Sequence, residues 1–566
     1  MSRVRRILVS ASLLLAITAT AQDTTPAAVT FRISGVVLDS TSGQPVAGAQ
    51  VVIAPVVERG SIKRALSAAD GAFTFDGLWK GKYSLGAEHR GYPGQGYDQH
   101  EGYATAIAVG PGLDSEHIVF RLRPAGGIRG TVTSEDNEPI GGATVRLFGS
   151  GIANGEATTR ELMTVTTDDR GLYSFAHLAD HEYYIAVSGR PWYANVYPYL
   201  AITYPDPLEA ARMKEERSRV DRVYPLTFYP GTFSADQARP IRVPPGEKVT
   251  ADIVLQSARN IHVRISAPGT PGSAKESENL VISDMHRRIS FPPRIMFYKN
   301  VFGTLTNIES AMTSTANDGV YEFSGMPAGH YTMTLHRGEG LRPEGGGITQ
   351  EVDLEDGVEL TVGGGTSSAS VSGVLSIDGQ VSRERAIVRL VGKGIPMAFA
   401  TEVKDGKFEF MQSVPPGTYE VGLAGNANDQ YIKVVTATGA RISGRALQVS
   451  SGAAIKLAIT AATGMGRVDG VALDHGKPLA GAMIVLVPAD IAHNATLVRR
   501  DQSDSDGTFT LPQVVPGTYR VIAIQNGWKL PWSDPKVLNP YLGKATTYSI
   551  TGGNKLEVKV EVQTAK

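Results

Sequence analysis

One short pattern returns five times along these 566 residues and constrains the fold more than any other feature. It opens as Asp70-Gly71 followed by Phe73 and Phe75, then Gly81 and Tyr83. The second copy has Asp169, Gly171, Tyr173, Phe175 and Tyr183, and the third Asp318, Gly319, Tyr321, Phe323 and Tyr331. The fourth has Asp405, Gly406, Phe408, Phe410 and Tyr419, and the fifth Asp506, Gly507, Phe509, Leu511 and Tyr519. The turn glycine and the tyrosine are 12 residues apart in four copies and 13 in the fourth. Asp-Gly supplies the backbone of a tight hairpin turn, with positive φ at Gly71, Gly319, Gly406 and Gly507. The aromatic-x-aromatic alternation then sets two rings on one face of a strand. The later tyrosine suits a corner position, ring buried and hydroxyl bonded to backbone.

A second signature stands upstream. Gly35 is followed by Pro45, Gly48 and Ala49, Gly130 by Pro139, Gly142 and Ala143, and Gly470 by Pro478, Gly481 and Ala482. Each reads as strand, Pro-x-x-Gly-Ala turn, strand. Copy four keeps Gly373 but lacks the Pro-x-x-Gly-Ala turn, and copy three keeps only its second half. The 63 Gly and 32 Pro exceed the roughly 12 % combined share of ordinary usage, as many short strands require.

The combination of G-x-V, P-x-x-G-A, D-G-x-F-x-F and P-G-x-Y resembles the carboxypeptidase regulatory-like domain, a transthyretin-like β-sandwich of bacterial repeat proteins. The resemblance implies an all-β chain of tandem transthyretin/immunoglobulin-like sandwiches, strung one after another. The repeats place sandwich 1 at 28–124, sandwich 2 at 125–257, a divergent sandwich 3 at 258–363, sandwich 4 at 369–462 and sandwich 5 at 464–566. A short helical insert is predicted near 205–220, capped by Asp206 with Pro207 in its first turn. His117–Leu122, Ile253–Leu255 and Leu556–Val562 read as closing strands.

The N-terminus carries Arg3, Arg5 and Arg6, then an apolar run, then Ala19-Thr20-Ala21. This predicts a secretory signal peptide over 1–21 and a mature chain from Gln22, exported to the periplasm, the cell envelope or the medium, with no membrane span after cleavage. The chain has no Cys, so each sandwich must hold by its own core. Lys+Arg 55 against Asp+Glu 56 supplies no basic footprint for nucleic acid.

Catalytic motifs do not assemble. Phosphate-loop and nucleophile-elbow patterns are missing from the sequence. His336 and Glu339 have zinc-hydrolase spacing, but two more sandwich repeats occupy the chain beyond them. His177 and His181 sit in a predicted inter-strand turn, where side chains diverge. Gln502-Ser-Asp504-Ser-Asp506 lacks the first acid of a calcium loop and reads as an ordinary turn. No catalytic residue, metal site or cofactor is assigned, and the chain is not read as an enzyme.

Aromatic residues concentrate at Trp192, Tyr193, Tyr197, Tyr199 and Tyr204, with Tyr224, Phe228 and Tyr229 downstream and Trp528, Trp532 and Tyr541 near the C-terminus. Exposed rings stack on sugars, and buried ones seal contacts between domains. Fold analogy with starch-binding modules suggests a carbohydrate ligand, and the first five rings, the densest group, stiffened by prolines and outside the repeat signature, are the candidate ligand-binding residues. The chain then reads as a secreted binding protein whose partner is a polysaccharide or an envelope protein. The alternative is a structural spacer or adhesin-type scaffold.

Overall fold

The alternation at Phe73 and Phe75 folds into the strand Ala72–Leu78, with both rings buried. That strand pairs antiparallel with an opening strand, Phe31–Asp39, and a closing strand, Ile118–Leu122, runs parallel along the other side of it. The same three-strand arrangement recurs in every repeat of this computed structural model. In sandwich 2 the opening strand is Gly126–Ser134, in sandwich 3 Ile261–Ser266, in sandwich 4 Ser370–Ile377 and in sandwich 5 Gly466–Asp474. Across the core lies a second sheet built on the strand that carries the repeat tyrosine, for example Gly81–His89 and Gly517–Gln525. Five separate hydrophobic clusters fill the five sandwiches. The structure describes residues 30–57, 61–153, 155–195, 206–266, 294–308, 311–315, 320–336, 348–361, 366–367, 369–381, 386–392, 398–411, 414–425 and 429–565. The predicted signal peptide and Gly319 lie outside them.

The G-x-V glycine has a steric cause. A Cβ on Gly35, Gly130 or Gly373 would stand 2.1, 2.0 or 2.3 Å from a backbone oxygen of the neighbouring closing segment. On Gly470 it would meet the Phe509 ring at 2.4 Å. At Gly130, Gly373 and Gly470 the repeat ring also lies within 3 Å of that position, so the side chain is excluded from both directions. Sandwich 3 departs here, with Ile265 opposite Tyr321 in the same register.

The tyrosine corner is present five times. Tyr83, Tyr183, Tyr331, Tyr419 and Tyr519 are buried, and each hydroxyl donates to the carbonyl four residues upstream. These bonds run from 2.7 to 3.1 Å. They pin the entry of each core strand to the preceding turn.

The turn glycines adopt positive φ, 78° at Gly71, 70° at Gly406 and 75° at Gly507. The expected hairpin between consecutive strands of one sheet is corrected for copies one, two and five. There a three-residue loop closes by bonds such as Gly71 N–H to Ala68 O and Ala68 N–H to Ala72 O, and the chain crosses from one sheet to the other. A flanking strand that must pair in the opposite sheet overrides the local hairpin tendency. Copy four makes the two-residue turn, with positive φ at both Asp405 and Gly406 and mutual bonds between Lys404 and Lys407.

The predicted insert is helix α1, Pro207–Val220, with the Asp206 side chain accepting the Leu208 amide. A second helix was not expected: α2, Pro535–Leu542, is capped by Asp534 and buries Leu538 and Tyr541. Its eight residues are too few for a periodic signal, and its apolar side is covered by sandwich 5. Sandwich 1 also packs against sandwich 5.

Candidate functional site

Three places bear on function, two of them joining side chains far apart in the chain. The first is the seam between sandwiches 1 and 5. Lys82 pairs with Asp504, and Asp504 also accepts the Ala106 amide at 3.0 Å. The Ala108 amide donates to the Ser505 hydroxyl at 2.8 Å, and the Gln502 amide group donates to Asp98 O and Thr105 Oγ1 at 2.7 Å each. His100 stacks on Trp528 at 5.2 Å, 8° from parallel, while Arg500 pairs with Glu101 at 2.7 Å. Trp528 is only 7 % exposed. The aromatic group at Trp528, Trp532 and Tyr541 is therefore a seal, with Tyr103 of sandwich 1 packed into it. Burial pushes the Asp501 carboxyl up to about 6. It also pushes Asp504 above the ordinary carboxylate range, against the pull of Lys82.

The second place joins sandwiches 2 and 3. The tip of a sandwich 3 hairpin carries Phe302 at φ 52° and Gly303 at φ 80°. Phe302 meets the rings of Phe148, Tyr184 and Phe228. Arg190 lies over Gly325, where a Cβ would fall 2.0 Å from its guanidinium. Phe228, for which the sequence left both sugar stacking and sealing open, lies in this contact between sandwiches 2 and 3. Nothing in the local sequence marks Phe302, because its partners come from strands more than 70 residues away.

The third place is the candidate aromatic platform. After Gly189 the chain leaves its strand, Pro191 is buried, and a short 3-10 turn, Trp192–Asn195, follows. Trp192 is 74 % exposed. Tyr193 meets its edge at 5.8 Å and 82°, so the two rings are not coplanar. Tyr197, Tyr199 and Tyr204 lie outside the described residues.

The weaker metal candidates do not come together. His177 and His181 are both exposed at a turn, and Asp180 beside them pairs with Arg242 at 2.6 Å. Asp504 and Asp506 serve the seam and their own turn. Glu339 lies outside the described residues. Among the described residues, no three His, Asp or Glu side chains group to hold a metal ion, and no helix is long and apolar enough to cross a membrane.

A buried hydroxyl was missed by the sequence reading. Ser67, Thr167 and Ser503 stand four residues before their turn glycines. Each accepts the amide of the Gly-Ala alanine at 2.8–2.9 Å and donates to the carbonyl just after the motif proline at 2.6–2.7 Å. The recurrence of Ser or Thr at that offset is the signal that could have found it.

Fold and seams together define an all-β protein of tandem, mutually docked transthyretin/immunoglobulin-like sandwiches. Residues 32–122 and 127–210 match the carboxypeptidase regulatory-like domain, so the first two sandwiches carry that domain. No curated protein matches the sequence. Among solved structures, the Bacillus anthracis TIE protein is 12 % identical over 74 % of this chain and 68 % of its own, with a TM-score of 0.14. The minor pilin GBS52 of Streptococcus agalactiae is 13 % identical over 40 % of this chain and 96 % of its own, at 0.20. The major pilin subunit of Bacillus cereus is 12 % identical over 78 % of this chain and 100 % of its own, at 0.13. At these TM-scores none of the three bears on what this chain does.

Proposed function

We propose that this chain is a non-catalytic scaffold at or beyond the cell envelope, in which five sandwiches dock into one body and present surfaces for binding. The observation that carries this reading is the seam between sandwiches 1 and 5. It joins the first sandwich to the last through a half-buried ion pair, cross-seam amide bonds and the Trp528 seal. A loosely strung spacer has no use for such a contact. The division into five units at 28–124, 125–257, 258–363, 369–462 and 464–566 belongs to the same proposal, as does export after cleavage at Gln22. The chain has no Cys, so a spin-label pair at Lys80→Cys and Lys529→Cys, both exposed, reports the seam directly. A single narrow distance distribution is expected. A broad one, as from independently swinging sandwiches, overturns the docked scaffold.

A second reading is favoured by the exposure of Trp192. One indole face free to solvent stacks on a sugar ring at low ordering cost, and the buried Pro191 stiffens its base. The polysaccharide partner rests on this ring, with Tyr193, Tyr197, Tyr199 and Tyr204 as its proposed companions. A glycan array with the signal-free chain tests it, and absence of any glycan binding removes it.

A further inference from the structure

A cleft of about 520 Å3 opens between sandwiches 2 and 3, beside the docked Phe302. Its size falls within the roughly 300–1,000 Å3 range of ligand pockets. Sandwich 3 contributes Lys299 and Asn300, and sandwich 2 contributes Phe233, Ser234 and Asp236. Lys299 is half-buried with its ammonium 4.9 Å from the Tyr331 ring centroid, and burial holds its pKa below the ordinary lysine value. Among the described residues that ammonium has no hydrogen bond and no ion pair. A cation taken partly out of water without a counter-ion is unfavourable, and a ligand anion relieves it. Phe233, 53 % exposed, adds an aromatic face to the lining of the same cleft. Ser234, Asp236 and Asn300 add hydroxyl and amide donors and carboxylate and amide acceptors suited to sugar hydroxyls.

These three chemistries converge on a hydroxylated ring that bears one carboxylate. We propose that this cleft binds an acidic saccharide of the hexuronic type, its carboxylate on Lys299 and its ring against Phe233. The site is separate from Trp192, and it stands or falls independently of the platform there. Inorganic phosphate satisfies Lys299 but has no ring for Phe233, and a neutral sugar satisfies Phe233 but leaves Lys299 uncompensated.

Titration calorimetry on the signal-free chain with digalacturonate, lactose and inorganic phosphate tests the assignment. Digalacturonate is expected to bind and to weaken with added salt. Lys299→Met should lower its affinity by about tenfold or more, and Phe233→Ala by a similar factor. Lys299→Arg retains the charge and should bind within a few-fold of the parent, which separates loss of charge from loss of fold. All titrations are made in a Trp192→Ala background, so that any sugar held on that ring does not contribute. No digalacturonate binding, equal binding of lactose or phosphate, or undiminished binding by a folded Lys299→Met overturns the proposal.

Discussion

Lys82→Met tests whether the seam between the first and last sandwiches is held by its ion pair. The Lys82 side chain is 25 % exposed and that of Asp504 14 %. Without the ammonium, the Asp504 carboxylate stays buried with the Ala106 amide as its remaining cross-seam donor. Breaking a fully buried pair costs about 3–5 kcal/mol, and the residual exposure here lowers that to about 2–3 kcal/mol. The cost depends on pH. Burial already raises Asp504 in the folded chain, and loss of Lys82 raises it further. A carboxyl raised on folding contributes stability fully below its unfolded pKa near 4, and that contribution is lost as pH climbs through the folded value. The variant should therefore match the parent near pH 4 and fall behind as the pH rises to 8. Native-state hydrogen exchange at the Ala108 amide, bonded across the seam to Ser505, reads the opening directly. After correction for intrinsic rate, exchange should accelerate about 30- to 150-fold at pH 8 and hardly at all near pH 4. Adding Asp504→Asn should restore protection, because the amide side chain keeps an acceptor for Ala106 without the charge. Equal exchange in variant and parent at pH 8, or no rescue by Asp504→Asn, refutes the electrostatic account.

Asp501→Asn should stabilise sandwich 5 at pH 8 by up to about 2–3 kcal/mol, the size of its carboxyl's rise to about 6. The gain should vanish below pH 4, where the native carboxyl is protonated, and a pH-independent shift in melting would contradict the assignment. Gly130→Ala should cost about 3 kcal/mol or more, since its Cβ would fall 2.0 Å from Ala251 O. Gly151→Ala, where a Cβ meets nothing within 4 Å, is the control, and calorimetric melting compares them. Ser503→Ala leaves the Ala482 amide and the Leu479 carbonyl without their shared hydroxyl and should cost about 2 kcal/mol in chemical denaturation. Trp192→Ala should remove about 1–3 kcal/mol of any glycan binding with little change in melting. A sharp drop in melting temperature would instead make Trp192 a structural ring.

Much of the local structure was legible in the sequence because it rests on short-range stereochemistry. Gly71 and Gly507 take positive φ where Asp-Gly said they would, and the repeat tyrosines bond four residues back. The closing strand at Leu556 was readable from alternation alone, and those at Ile118 and Ile253 from the family resemblance. The hairpin reading failed because sheet membership depends on which distant strand pairs with each arm of the turn. Helix α2 was missed for want of length. Of the platform residues, only Trp192 and Tyr193 lie within the described structure, and they meet edge to face.

The sequence by itself determined the repeat, the sandwich built on it and the glycines that admit no side chain, because each follows from backbone geometry or close approach within one unit. Only the tertiary structure decided which aromatic groups are seals and which ring stays free. Trp528 and Trp192 are alike as residues, yet His100 and Tyr103, more than 400 residues before Trp528, cover the first, while the second remains open to solvent. Pairings such as Lys82 with Asp504, and the cleft at Lys299, likewise depend on how whole sandwiches meet. Their partners lie too far apart in the chain for periodicity, spacing or propensity to register them.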